Sequence, residues 1–188
     1  MHVYEMLRDN YPHYYKWEDY PADKTIAFNK TNEEWGILGN FANTPLVVDG
    51  VTFYAAESLF QIMKLTDPAV RKDVYARKGL WLKKVANAHK EAFRPDWPKI
   101  IVDALKFCLM TKYEQSEAFR TELARTGDRF IVEKAHQRAD SYSAKLSDDV
   151  TTWTGGNLMG RLLMELRDRG KLEYKLPEDA MKFGDLLE

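Results

Sequence analysis

The stretch RPDWPKIIVDALKFCLMTKY, residues 94–113, most narrows what this chain can fold into. Its apolar positions Ile101, Ala104, Leu105 and Cys108 recur at i, i+3, i+4 and i+7, one face of a helix. Asp96 sits where an N-cap belongs, and Pro98 falls in the first turn, where a missing N–H is tolerated. Helical patterns also fill 56–66, 68–77 and 80–92, and one over about 115–125 stops at Thr126-Gly127. The β-rich runs lie mostly ahead of this block. TIAFN (25–29) reads as a strand, and PLVVDGVTFYA (45–55) holds two short runs around Asp49-Gly50, a hairpin signal. RFIVEKA (129–135) is a further strand. A few strands followed by mostly helices predict an α+β fold, predominantly helical with a small antiparallel sheet, and disfavour βαβ alternation.

The remainder reads as a short helix near 2–9, a glycine-punctuated loop over 29–41 and a polar, irregular segment over 136–154. A final helix over 157–169 ends at Gly170, and the tail beyond it reads as a surface strand or loop with a short terminal helix. One domain over 25–170 is expected, with a tyrosine-rich extension (1–24) packed on it and a tail (171–188).

The chain's 188 residues, 45% hydrophobic and 30% charged, suit one soluble domain with a proper core. A formal net charge of -1 gives no bulk attraction to nucleic acid or membrane. No apolar run is long enough to span a bilayer, and MHVYEMLRDNYPHYY lacks the apolar centre of a signal peptide. The single cysteine, Cys108, excludes an intrachain disulfide, and a cytoplasmic setting is expected. The four histidines show no ligand spacing, so no metal is expected. Phosphate-loop, dinucleotide and nucleophile-elbow motifs are absent, and no cofactor is expected.

Four segments carry residues suited to chemistry. In YAAESLFQIMKL (54–65), Glu57, Gln61 and Lys64 share one stripe of a helix, between Leu59, Phe60, Ile62 and Met63. The stripe is either a solvated face or an acid, an amide and an amine aimed into a pocket. In FRPDWP (93–98), Arg94 can hold an anion and Trp97 can stack on a heterocycle, or Trp97 anchors a capped helix in the core. TGGNLMGRLLM (154–164) offers helix N-terminal amides to a phosphate at Asn157, or a simple Asn cap followed by the packing glycine Gly160. Asp140 and Tyr142 lie in the irregular segment before that turn and are candidates for a pocket wall.

Four pieces in order, GNFANTPLVVDG, AESLFQIMK, RPDW with ALKFCLMTKYEQ, and GGNLMGRLLMELR, resemble the YbiA-like, or NADAR, superfamily over about residues 35–169. The resemblance implies an N-glycosidase that hydrolyses a base–ribose bond. Some members act on phosphoribosylamino-pyrimidine intermediates of riboflavin synthesis, and others remove ADP-ribose from guanine. It places the family acid on Glu57, the motif lysine on Lys64, the tryptophan on Trp97, the glycine-asparagine turn on Asn157 and Gly160, and the N-F motif on Asn40 and Phe41. Two positions depart from the pattern. Ser58 stands where a histidine usually follows the acid, and Tyr142-Ser143 after Asp140 replace Trp-Gly.

The implied chemistry has Glu57 stabilising positive charge at the ribose C1′ and managing a proton. Lys64 captures the opened sugar as a Schiff base, and Asp140 shares the acid–base work or holds a ribose hydroxyl. Trp97 and Tyr142 would enclose the base, with Arg94 and the Asn157 turn on the phosphate. The partner is then a small nucleotide-like molecule, or ADP-ribosylated guanine in DNA, for which a basic cluster of Arg71, Lys72, Arg77, Lys78, Lys83 and Lys84 leaves room. A catalytically inactive nucleotide-ribose binding module is the alternative from another class.

Overall fold

The computed structural model describes residues 2–187. In chain order the elements are α1 (Val3–Asn10), β1 (Glu18–Pro21), β2 (Thr25–Phe28), β3 (Leu46–Val48), β4 (Val51–Phe53), α2 (Ala56–Met63), α3 (Pro68–Tyr75), α4 (Leu80–Ala88), α5 (Trp97–Gln115), α6 (Glu117–Arg125), β5 (Phe130–Glu133), β6 (Ala144–Leu146), β7 (Thr152–Gly155) and α7 (Leu158–Arg169). The fold is α+β, as the order of signals implies. The chain divides into two compact units, one running to Gly39 and resuming over Glu117–Leu172, the other spanning Asn40–Ser116 and resuming at Glu173.

The first unit holds two sheets. β1, β7 and β6 form an antiparallel sheet with Tyr20 opposite Trp153 and Trp153 opposite Leu146. β2 lies parallel to β5, with Thr25 beside Phe130 and Phe28 beside Glu133, a pairing the sequence pattern does not announce. Beyond β5 the chain runs on to β6, where the Ala135 amide donates to the Ala144 carbonyl at 2.9 Å. Tyr20, Val132, Ala144 and Trp153 make a core cluster from both sheets. The segment expected to be irregular over 136–154 therefore contains two strands, and the loop expected before residue 24 contains another. Each is three or four residues long and polar on one face, so its strand character comes from its pairing partner, β7 for both the remote β1 and the adjacent β6, rather than from local propensity.

α7 lies on β5, and Gly160 permits it. A Cβ built at Gly160 would sit 2.0 Å from the Ile131 carbonyl oxygen, so the helix backbone meets the strand backbone where no side chain fits. The Asn157 side chain completes the clasp: its Oδ1 accepts from the Glu133 amide at 3.1 Å and its Nδ2 donates to the Ile131 carbonyl at 2.9 Å. One helical turn on, Arg161 donates to the carbonyls of His13 (2.6 Å) and Lys16 (3.1 Å) and pairs with Glu18 at 3.1 Å, tying the N-terminal segment to α7.

In the second unit β3 and β4 form the expected hairpin, with Asp49 and Gly50 both at positive φ (51° and 77°), as a two-residue turn of this twist requires. α2 is buried along its whole length and packs on α3, α4, α5 and β4. The helix expected over 80–92 breaks at His89 into a 3₁₀ turn, Lys90–Ala92. After Glu173 the tail folds back as two 3₁₀ turns and plugs the fully buried Phe183 ring against Phe53, centroids 5.0 Å apart. Asp49 accepts from the Phe183 amide at 2.7 Å, and the buried Arg71 pairs with Asp185 at 2.8 Å.

Gly160→Ala should lower stability by about 1–3 kcal/mol or more, because the new methyl meets the Ile131 backbone carbonyl and the Asn157 amide that clasps β5. A urea midpoint equal to that of the parent chain would show that α7 and β5 do not approach this closely.

Candidate active site

α2 begins where the Asn40 carbonyl accepts the Glu57 amide at 2.9 Å. This bond satisfies one of the N–H groups that a helix start leaves open, and it fixes the chain carrying Phe41 beside Glu57. α2 then presents Glu57, Gln61 and Lys64 on one stripe, as the spacing implies. The stripe is not a wet face: Glu57 is 6% exposed, Gln61 3% and Lys64 5%.

Buried polar groups need partners, and here they use one another. Gln61 Nε2 donates to Glu57 Oε1 at 2.8 Å, and Lys64 Nζ donates to Gln61 Oε1. Lys64 also donates to Asn87 Oδ1 of α4 at 2.7 Å, and its ammonium lies 4.6 Å from the centroid of the Phe93 ring. The acid and the amine are thus joined through an amide and not paired directly. Burial draws the Lys64 ammonium down to about 8, against the opposing pull of Glu57 and with a smaller contribution from the positive charge of Lys83.

The chain after α2 is stitched to the chain before α5. The Thr66 amide donates to Ala92 and the Arg94 amide to Lys64, both at 2.9 Å, which sets Phe93 beside the lysine. Arg94 itself is spent. Its guanidinium grips both oxygens of Asp96 at 3.0 Å and one of Asp179 at 2.7 Å. The expectation that it holds a phosphate therefore meets two carboxylates already in place. Asp96, expected to cap α5 with its side chain, stands at the N-cap position but gives its carboxylate to Arg94. Trp97 is 3% exposed and packs on Phe60 with ring centroids 5.2 Å apart. Of the two roles left open for it, the buried anchor fits this environment, and no exposed ring face is offered to a heterocycle.

The remaining candidates belong to the first unit. Asp140 is exposed, and its Oδ1 accepts from the Tyr142 amide (2.9 Å), the Ser143 amide (2.9 Å) and the Ser143 hydroxyl (2.7 Å), shaping the 140–143 turn. Tyr142 is half-buried. The amides opening α7 are not free for a phosphate. Gly156 donates to the Asp140 carbonyl, Asn157 to Ser143 and Leu158 to Ser141, at 3.0, 3.3 and 3.0 Å. Asn157 and Gly160 thus serve helix–strand packing.

Asn87 and Phe93 escaped the sequence reading. The one signal available was an asparagine inside the helical run VANAH, where its short amide side chain competes with the backbone and is locally unfavourable. Among the described residues no group of three or more His, Cys, Asp or Glu could hold a metal, and no helix is long and apolar enough to cross a membrane.

The fold has a counterpart among solved structures, and the sequence has relatives. The chain belongs to the NADAR domain family, which matches residues 27–170. N-glycosidase YbiA of Escherichia coli K12 is 29% identical over 152 residues, 80% of this chain and 91% of that protein. A riboflavin biosynthesis protein of Vibrio vulnificus is 26% identical over 164 residues, 87% of this chain and 42% of that longer protein. The NMR structure of E. coli YbiA superposes with a TM-score of 0.65 at 27% identity, over 78% of this chain and 84% of that one.

Trp97→Ala should cost about 3–5 kcal/mol of stability, the usual range for emptying a buried aromatic site. Trp97→Phe should recover most of it. An alanine variant that melts like the parent but binds substrate poorly would restore the stacking role.

Proposed function

We propose that this chain is an N-glycosidase that hydrolyses the bond between ribose and a nitrogenous base in small nucleotide-like molecules, with phosphoribosylamino-pyrimidines as the favoured substrate. The observation that carries this reading is the line of buried Glu57, Gln61 and Lys64, ending on the exposed Asn87. A buried acid and amine are costly to keep, and such pairs concentrate where chemistry uses them. The names of the YbiA and riboflavin biosynthesis relatives support the reaction class and a place in riboflavin synthesis.

Breaking a C–N glycosidic bond builds positive charge at C1′, and the Glu57 carboxylate stabilises it in a site with little water to screen it. A ribosylamine also opens to an imine at C1′. Neutral Lys64 adds to that carbon, the pyrimidine amine leaves with a proton, and the sugar stays on Lys64 as a new imine. Water then adds to C1′, and the C–N bond to Lys64 breaks, releasing the sugar aldehyde and the free amine. Attack needs the neutral amine, and a folded pKa near 8 makes that form accessible at a pH where a free lysine is almost wholly charged. The Lys64 step should therefore quicken as pH rises through about 8 and level off above it. Asp140, committed to its turn, is given no proton to move.

The test incubates the protein with a phosphoribosylamino-pyrimidine and, separately, with ADP-ribosylated guanosine. Ribose 5-phosphate release in the first arm is expected. Turnover only in the second would transfer the reading to ADP-ribosyl-guanine, and binding without turnover in both would make the chain a binding module. Glu57→Gln should fold normally and lose about 100-fold or more in kcat. Borohydride added during turnover should fix the ribosyl group on Lys64, and Lys64→Arg should abolish both trapping and turnover. An active arginine variant would leave the lysine only an electrostatic part.

A further inference from the structure

The groups that the sequence offered to a phosphate are occupied by the protein itself: Arg94 by Asp96 and Asp179, and the α7 amides by the carbonyls of the 140–143 turn. A phosphoribosyl substrate still brings an anion that must be met. Resting on the glycosidase reading, we infer that Lys83 receives the phosphate end of the substrate and so sets the preference for phosphorylated over unphosphorylated ribosides.

Two independent routes bring Lys83 beside the line of Glu57, Gln61 and Lys64. It lies on α4 four residues before Asn87, hence on the same helix face. Asn87 on that face accepts from Lys64 Nζ at 2.7 Å, so the face is turned toward the amine. Separately, the Lys83 ammonium lies 6.0 Å from the centroid of the Phe41 ring, and the neighbouring Asn40 carbonyl accepts the Glu57 amide at 2.9 Å. The charge of Lys83 also reaches Lys64, where it adds to the effect of burial. One helical turn, about 5.4 Å, separates Lys83 from the Asn87–Lys64 contact. The anomeric carbon and the 5′-phosphate of a ribose are separated by a distance of the same order.

Chemistry distinguishes Lys83 from its neighbours. It is exposed and has no carboxylate partner among the described residues, so meeting an anion breaks no existing ion pair. Arg77 is paired with Asp73 and Arg71 with Asp185; Lys84 lies over the Trp81 ring at 4.6 Å and Lys78 over Tyr54 at 5.0 Å, as Lys83 lies over Phe41, but of these three it is the charge of Lys83 that reaches Lys64. In the basic cluster legible in the sequence Arg71 and Arg77 are thus already paired, and Lys83 is the cation placed beside the Lys64 line.

The experiment compares kcat/KM for a ribosylamino-pyrimidine 5′-phosphate and for the same compound without its phosphate. The proteins are the parent chain, Lys83→Met, Lys83→Arg and Lys84→Met. In Lys83→Met the ratio of the two values should fall about tenfold or more, through KM and not kcat, since a charge-assisted hydrogen bond is lost. Lys83→Arg should restore most of the ratio, and Lys84→Met should keep that of the parent. An unchanged ratio in Lys83→Met overturns the inference. If the parent turns over neither compound, the glycosidase reading fails instead. Titration of ribose 5-phosphate by calorimetry then decides on Lys83 alone: weaker binding to Lys83→Met than to the parent upholds its role, and equal or absent binding to both overturns it.

Discussion

An acid and an amine buried on the same helix, two turns apart, are the constraint around which the second unit is arranged. Left alone, either would shed its charge or carry a desolvation penalty of several kcal/mol. Gln61 avoids both outcomes. Its amide nitrogen satisfies Glu57 and its oxygen satisfies Lys64, so each charge has a dipole of the right sign while the ions stay apart. Had the pair met directly, each would have quenched the other. The intervening amide keeps the carboxylate available to a cationic centre and the amine to a carbonyl carbon.

Holding that line requires an immobile helix, and the surroundings of α2 supply the immobility. Every residue of α2 is buried, and α3, α4, α5 and β4 pack on it. Lys64 reaches Asn87 only because α4 faces α2, and Phe93 comes beside it only because the Thr66 and Arg94 amides bond across to Ala92 and Lys64. Arg94 and Trp97, both candidates for ligand contact, act one layer out: the guanidinium joins the start of α5 to the tail through Asp179, and the indole fills the space against Phe60. Arg94 thus ties the tail, which lies beyond the family match, to the backbone that positions Lys64.

What could be read from the sequence was local. The α5 pattern, the Asp49-Gly50 turn and the Gly170 stop carry their reasons within a few residues, and each appears where those reasons put it. The polar stripe of α2 was visible as spacing, but its burial was not, because burial is conferred by helices that follow it. β1 and β7 pair from more than a hundred residues apart and have too few apolar positions to announce themselves. The partners of Arg94 and Asn157 are likewise remote, Asp179 for one and the Ile131 and Glu133 backbone for the other. A phosphate site inferred from an arginine or a helix start assumes that those donors are idle, and only the fold shows whether they are.

The hydrogen bonds of Lys64 also indicate how it would be readied for chemistry. As an ammonium it has three protons to donate. Two go to the carbonyl oxygens of Gln61 and Asn87, and among the described residues the ammonium makes no further hydrogen bond, with the Phe93 ring nearby. The third proton is therefore the cheapest to lose, and its departure exposes a lone pair while the other two N–H groups still fix the nitrogen. An amine held in this way keeps its direction after deprotonation, which a flexible surface lysine would not. Burial lowers the cost of losing the proton, and Glu57, kept one amide away, stops short of cancelling that effect. The spacing of the stripe thus acts on reactivity as well as position: an acid bonded directly to the amine would hold it protonated, and an absent acid would leave the developing charge at C1′ without a counter-ion.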